Sequence, residues 1–275
     1  MSYSNHSSPH QARKRFGQNF LVDQNVIDRI VRAIRPNDYE QHIEVGPGLG
    51  ALTLPLLEQT KKLTVIELDR DIIPKLTALC QTNQPQAELT VISQDVLTVD
   101  FSTLAGSERI RVIGNLPYNI SSPLLFHLMR HLSVIKDMHF MLQKEVVDRI
   151  VAAPDTEHYG RLSVMLQFYC HAEKLFTVGS HAFNPPPKVE SAIIRLVPHT
   201  DAPITVSDMA IFSEVVKAAF AQRRKMLRNT LKILLDEASI EKAGVDPQAR
   251  AETLSLSAFA ALSECVHSRR LQGIE

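Results

Sequence analysis

The sequence predicts an α/β protein, a parallel, doubly wound sheet flanked by helices and followed by a small all-helical C-terminal domain. Three observations carry that reading. Short apolar runs alternate with amphipathic stretches up to about residue 197. A glycine-rich turn, Gly46-Pro47-Gly48-Leu49-Gly50, joins one apolar run to the next helical stretch, as at the ligand-binding edge of an open α/β sheet. Past the PHTDAP stretch (residues 198–203) helical spacing continues with no strand signal.

The elements follow in order. A helix is expected over 24–34, where Val26, Ile27, Ile30, Val31 and Ile34 recur on one face, with Asp23 as N-cap and Pro36 as stop. Strands are expected over 42–45, 63–68, 89–92, 110–113 and 138–142, each an apolar run long enough for a buried strand. Helices at 52–59, 72–79 and 123–131 separate them. The β-rich run 192–197 falls where a late edge strand would lie. Residues 198–203 read as a linker, and 212–220, 226–235 and 258–265 as amphipathic helices. The division is therefore a disordered polar tail over 1–11, an α/β domain over 12–200 and a helical domain over 201–275.

Composition excludes several classes. Of 275 residues, 44% are hydrophobic and 22% charged, ordinary for a globular chain. No apolar run reaches the ~18 residues of a membrane span, and the polar start has no apolar signal region, so no membrane partner is expected. Cys80, Cys170 and Cys265 are scattered with no CxxC pair, which points to a reducing cytoplasm and away from structural zinc. The eleven histidines fall into no ligand spacing, so no metal is expected. Net charge is zero, yet Arg13, Lys14 and Arg15 cluster near the start, and Arg223, Arg224, Lys225 and Arg228 cluster on a predicted helix. On that helix Arg224, Lys225 and Arg228 would be neighbours. Two readings stand, a phosphate footprint for a nucleic acid and a solvated helix face.

The chemistry concentrates in three loops. In Glu44-Val45-Gly46-Pro47-Gly48-Leu49-Gly50 the glycines Gly46 and Gly48 let backbone approach a ligand where any Cβ would collide. The spacing is GxGxG, not the GxGxxG of NAD enzymes. About twenty residues on, Glu67 ends the second predicted strand, where a carboxylate can accept both ribose hydroxyl hydrogens. Asp95 follows the third strand; in S-adenosylmethionine (SAM) enzymes an acid there contacts the adenine amino group, although alone it reads more simply as a solvated loop residue. Asn115-Leu116-Pro117-Tyr118 follows the fourth strand and suits an exocyclic amine. The adenine N6 lone pair is delocalised into the ring. A carboxamide oxygen and a backbone carbonyl accepting both N6 hydrogens would favour a tetrahedral nitrogen with its lone pair free to attack. Pro117 stiffens the loop, and Tyr118 offers a flat face for a flipped-out base.

With Gln18-Asn19-Phe20-Leu21, EVGPGLGALT, VIELDRD and NLPYNIS in place, the chain resembles the rRNA adenine N6-dimethyltransferases. The likeness extends through ARKRFGQNFL, MHFMLQKEVVDRIVA, YGRLSVMLQFYC, FNPPPKVESAIIRL and AFAQRRKMLRNTL, covering residues 12 to about 244. It implies a Rossmann-like class I SAM-dependent methyltransferase fold with an added antiparallel strand. It also implies SAM as cofactor, S-adenosylhomocysteine as product and no metal. Asn19, Leu21, Gly46, Glu67, Asp95 and Asn115 match the family's SAM-contacting positions. Asn115, Leu116 and Pro117 would orient N6, Tyr118 would stack on the base, and Phe183 would cover its other face. The implied substrate is a pair of adjacent adenosines in a hairpin near the 3′ end of 16S rRNA. They would be dimethylated by a monomer acting on the small ribosomal subunit late in its biogenesis, not on DNA. Three rivals remain: a DNA adenine methylase, which usually carries DPPY or NPPY; a large-subunit methylase of the macrolide-resistance type; and a non-catalytic assembly factor.

Overall fold

The computed structural model describes residues 19–222 and 224–273. They divide into two compact units: the residues up to Lys144 together with Lys174–Leu196, and Glu145–Glu173 together with those from Val197 onward. Residues 145–173, which the sequence division placed in the α/β domain, thus group with the helical C-terminal part.

The first unit is built on a seven-stranded sheet. Its strands are β2 (Gln41–Val45), β3 (Lys62–Ile66), β4 (Glu88–Ile92), β5 (Ile110–Asn115), β6 (Ile135–Gln143), β7 (Cys170–Val178, in this unit from Lys174) and β9 (Ser191–Pro198, in this unit to Leu196), in the order β4-β3-β2-β5-β6-β9-β7. The pairs β2–β3, β3–β4, β2–β5 and β5–β6 are parallel. β9 runs antiparallel to β6. Strand order reverses between β2 and β5, which opens a crevice at their C-terminal ends. A separate two-stranded sheet pairs β1 (Phe20–Leu21) with β8 (Phe183–Asn184).

Helices α1 (Gln24–Ile34), α2 (Thr53–Thr60), α3 (Ile73–Asn83), α4 (Phe101–Ala105) and α5 (Ser121–Leu128) connect the strands. α1 begins where Asp23 Oδ1 accepts from the Asn25 and Val26 N–H groups at 2.9 and 3.3 Å. It buries Ile27, Ile30, Val31 and Ile34, the face the spacing predicts. It ends at Arg35, whose φ of 51° is left-handed and returns its N–H to the Val31 carbonyl.

One strand expectation needs correction, and one strand was not expected. The run 192–197 is an inner strand, not an edge, because its nearly continuous apolar sequence suits burial on both faces. The edge beside it is β7, whose first half is broken by His171, Glu173 and Lys174 and whose apolar residues, Leu175, Phe176 and Val178, come only at its end.

At the end of the sheet opposite the crevice, Arg111 of β5 is buried. Its Nε and Nη2 reach the Asp137 carboxylate at 3.0 Å each, and Nη1 reaches Glu40 at 3.1 Å. The same guanidinium donates to the Ile34 and Arg35 carbonyls at 2.7 and 3.1 Å, satisfying the C-terminal end of α1. Burial alone would raise the Asp137 carboxyl, but His139 and Arg111 together hold it well below the usual range.

The second unit contains α6 (Lys144–Ile150, from its second residue), α7 (Arg161–Tyr169), α8 (Met209–Ala219), α9 (Leu227–Thr230), α10 (Glu237–Lys242) and α11 (Leu256–Leu271). α8 packs on α7 and α11, with the Phe212 and Phe168 rings 4.8 Å apart. The expected helix over 226–235 is only the single turn of α9, followed by a second short helix from Glu237 with Asp236 as its N-cap.

Candidate active site

A cavity of about 920 Å³ opens at the C-terminal ends of β2, β3, β4 and β5, where the strand order reverses. Its lining includes Asn19, Leu21, Gly46, Gly48, Glu67, Asp95, Asn115, Leu116, Pro117, Tyr118 and Phe183, so every expected cofactor and catalytic residue is brought together. Each arrives by a different route.

The glycine turn leaves β2 with Gly46 at φ 67° and Gly48 at φ 54°, both left-handed. A Cβ on Gly48 would lie 3.3 Å from the Phe20 ring, so the backbone runs close beneath β1. Just before the turn, Glu44 is buried and its Oε2 accepts the Thr53 hydroxyl at 2.7 Å. Burial pushes its carboxyl up to about 7, against the Thr53 bond and helped by the neighbouring charge of Glu67. Glu44 also lines the cavity. Glu44 opens the glycine motif in the sequence without a role there, although an acid one residue before the end of a central buried strand is a signal.

Glu67 follows β3 directly and is only 8% exposed. Its Oε1 accepts the Asp69 N–H at 2.8 Å. Burial raises its carboxyl, opposed by N–H bonds from Asp69, Gly48 and Leu68, so glycine turn and acid are tied together. Asp95 follows β4, is exposed, and caps a short turn by accepting the Leu97 N–H at 3.0 Å.

Asn115 is the last residue of β5, and its Nδ2 donates to the Asn19 carbonyl at 3.3 Å. That bond settles which end of the carboxamide is oxygen. Leu116 is buried, its N–H held by the Met141 carbonyl at 3.2 Å. The Pro117 carbonyl accepts from the Ile120 N–H and the Ser121 hydroxyl, both at 3.1 Å, which locks the turn into α5. The Tyr118 hydroxyl lies 3.0 Å from that of Ser191.

Phe183 comes from far along the chain. β1 and β8 pair Leu21 with Phe183 and Phe20 with Asn184, and the Val22 N–H reaches the Ala182 carbonyl at 2.8 Å. This two-stranded clip sets Phe183, 4% exposed, into the cavity wall. Taken alone, Phe183 reads as a loop residue packing on its own domain; only the long-range pairing puts it beside the tetrad.

The basic clusters fare differently. Arg13, Lys14, Arg15 and Arg223 lie outside the described residues. Arg224, Lys225 and Arg228 do not share a helix: α8 ends at Ala219 and α9 begins at Leu227, so the first two are exposed in the connection. The i, i+4 neighbour argument therefore fails, because Lys225 closes a turn on the Gln222 carbonyl and Met226 has extended backbone. Arg228, on α9, lies 3.8 Å from Glu237. Among the described residues no group of three or more His, Cys, Asp or Glu side chains could hold a metal, and no helix is long and apolar enough to cross a membrane.

The model of the ribosomal RNA adenine dimethylase family matches residues 9–267. The chain is 55% identical over 257 residues to Ribosomal RNA small subunit methyltransferase A of Acinetobacter baylyi, covering 93% of this chain and 92% of that one. Among solved structures it resembles a dimethyladenosine transferase from Plasmodium falciparum, with TM-score 0.75, 25% identity and coverage of 93% of this chain and 98% of that one. It also resembles the 23S rRNA methyltransferase ErmE, with TM-score 0.69, 25% identity and coverage of 90% and 100%.

Proposed function

The chain belongs to the ribosomal RNA adenine dimethylase family, and from that premise we propose that it converts two adjacent adenosines of 16S rRNA to N6,N6-dimethyladenosine. The pair lies in a hairpin loop near the 3′ end, and the reaction takes place on the small ribosomal subunit during its biogenesis. The observation that carries this reading is the convergence of a glycine cradle, an acid, an Asn-Leu-Pro-Tyr tetrad and Phe183 on one cavity.

The residues fit SAM. Glu67, on the cavity wall after β3, would accept from two ribose hydroxyls, Asp95 would accept from the adenine amino group, and Gly46 and Gly48 let the ligand lie close to the backbone. When bound, SAM supplies an electrophilic methyl carried on a sulfonium. The tetrad does the rest. The Asn115 amide oxygen and a tetrad carbonyl accept the two N6 hydrogens and turn the nitrogen lone pair out of the ring plane. Tyr118 and Phe183 enclose the flipped base between two aromatic faces. After transfer the nitrogen is cationic and acidic, so its proton passes to water and no general base is required.

Arg13, Lys14, Arg15, Arg223, Arg224, Lys225 and Arg228 contact RNA phosphates in this reading. Replacing Arg224, Lys225 and Arg228 by Ala should flatten the salt dependence of subunit binding and leave SAM affinity unchanged; equal salt slopes would return these residues to a solvated surface. The sheet-bearing part acts as the methyltransferase domain. The enzyme works as a cytoplasmic monomer, releases S-adenosylhomocysteine, and needs no metal.

The likeness to ErmE makes the large subunit the alternative target. Methyl transfer from labelled SAM to unmethylated small subunits, to large subunits and to duplex DNA, with chelator present, separates the cases. Label in the small-subunit rRNA as dimethyladenosine is expected. Label confined to large subunits or to DNA would overturn the proposal.

A further inference from the structure

The FNPPPKVES segment does two things in the fold, only one of which the catalytic reading absorbs. Its start, Phe183, enters the cavity through the β1–β8 clip. Its end, Ser191, opens β9 opposite Gln143 of β6, is fully buried, and lies 3.0 Å from the Tyr118 hydroxyl. The geometry across the three strands explains the contact. Asn115 at the end of β5 pairs with Met141 of β6, and Met141 pairs with Ile193 of β9. The tetrad and Ser191 therefore stand at one level of the sheet, with β6 between them. Tyr118 reaches over the end of β6, and its hydroxyl meets the first residue of β9.

A tyrosine on a loop has two side-chain torsions free unless something holds its far end. Tyr118 is half-buried with its ring on the cavity wall, and the Ser191 hydroxyl, on a paired strand, is a rigid partner for it. We propose that Ser191 is a positioning residue for methyl transfer, holding the Tyr118 ring in the plane on which the target base stacks. One nine-residue segment, Phe183 to Ser191, thus sets both aromatic walls, Phe183 directly and Tyr118 through its hydroxyl. The proposal rests on the reading of Tyr118 as the stacking face. It also changes what the tetrad alone suggests, that the Tyr118 hydroxyl is dispensable because stacking needs only the ring.

The test is a double-mutant cycle, Ser191→Ala, Tyr118→Phe and both together, with Tyr118→Ala as reference. The measurements are kcat and KM for methyl transfer to unmethylated small subunits, SAM affinity and thermal stability. Subunit affinity rests on contacts distributed over the RNA, whereas docking of the flipped base follows binding, so the loss should appear in kcat. A neutral hydrogen bond is worth a factor of about 3 to 10. Ser191→Ala and Tyr118→Phe should each lower kcat by about that factor, with KM and SAM affinity unchanged. The double variant should be no worse than either single one, because both remove the same bond. Because it leaves no buried hydroxyl unpaired, it also keeps the test open if Ser191→Ala alone is unstable. Wild-type kcat in Ser191→Ala or Tyr118→Phe, or multiplicative losses in the double variant, would overturn the positioning role while Tyr118→Ala remained impaired. Unimpaired kcat in Tyr118→Ala would instead remove the stacking reading on which it rests, and the proposal with it.

Discussion

Replacing Glu67 by Gln tests the cofactor site at the atom where it is most sharply defined. The carboxylate is 8% exposed, and one oxygen already accepts the Asp69 N–H at 2.8 Å. Gln keeps the length and one acceptor, so the Asp69 bond can survive. It replaces the second acceptor oxygen with an N–H donor, which in the proposed site would face a ribose that also donates. Hydrogen bonds to charged groups contribute about 1.5–3 kcal/mol, so Glu67→Ala should weaken SAM by roughly 10- to 150-fold. Gln, which loses the charge but keeps an acceptor, should fall toward the lower end. Burial already raises the Glu67 carboxyl, so removing its charge relieves a desolvation cost and should not lower stability. The assay is calorimetric titration with SAM and with S-adenosylhomocysteine, with thermal unfolding of the ligand-free protein as control. Both ligands should weaken together, since both carry the ribose. Wild-type affinity in the Gln variant at unchanged stability would remove Glu67 from the ribose position.

Other perturbations follow from the same geometry. Gly48→Ala puts a side chain at φ 54° and 3.3 Å from the Phe20 ring, so it should cost about 1–2 kcal/mol of stability and weaken SAM, with Val worse in both; calorimetry showing intact SAM binding in the Val variant would contradict the close approach. Arg111→Met strands the buried Asp137 carboxylate and the two carbonyls ending α1, and urea unfolding should show a loss of about 3–5 kcal/mol, with Asp137→Leu in the same chain restoring part of it. Glu44 has its folded pKa raised from 4.5 to about 7, mainly by burial, so its contribution to stability is full below pH 4.5 and is lost as pH rises through about 7. Glu44→Gln should therefore gain up to about 3 kcal/mol over wild type at pH 8 and little at pH 4.5, by urea unfolding without SAM; an equal difference at both pH values would mean that folding leaves the Glu44 pKa unshifted.

The amino-acid sequence by itself determined what local pattern encodes. The face of α1, its Asp23 cap, the five parallel strands and the glycine turn after β2 are all statements about neighbours within a few residues. Periodicity and cap chemistry report those directly. The tetrad was equally legible, because its chemistry is contained in four consecutive residues at a strand end. Tertiary structure decided what depends on pairing over long separations. β7 carries charge through its first half, as a strand with one solvated edge can, so only the finished sheet order shows that it, and not β9, closes the sheet. Phe183 enters the cavity because Leu21 pairs with it, and Ser191 meets Tyr118 because β9 inserts beside β6; neither partner can be read from spacing. The same holds for Arg111, whose five bonds join β5 to β6, to the end of α1 and to Glu40. Where helical spacing joined Arg224, Lys225 and Arg228 on one face, the chain instead breaks after α8 and starts again at Leu227, because local propensity there yields to the turn that Lys225 closes on Gln222.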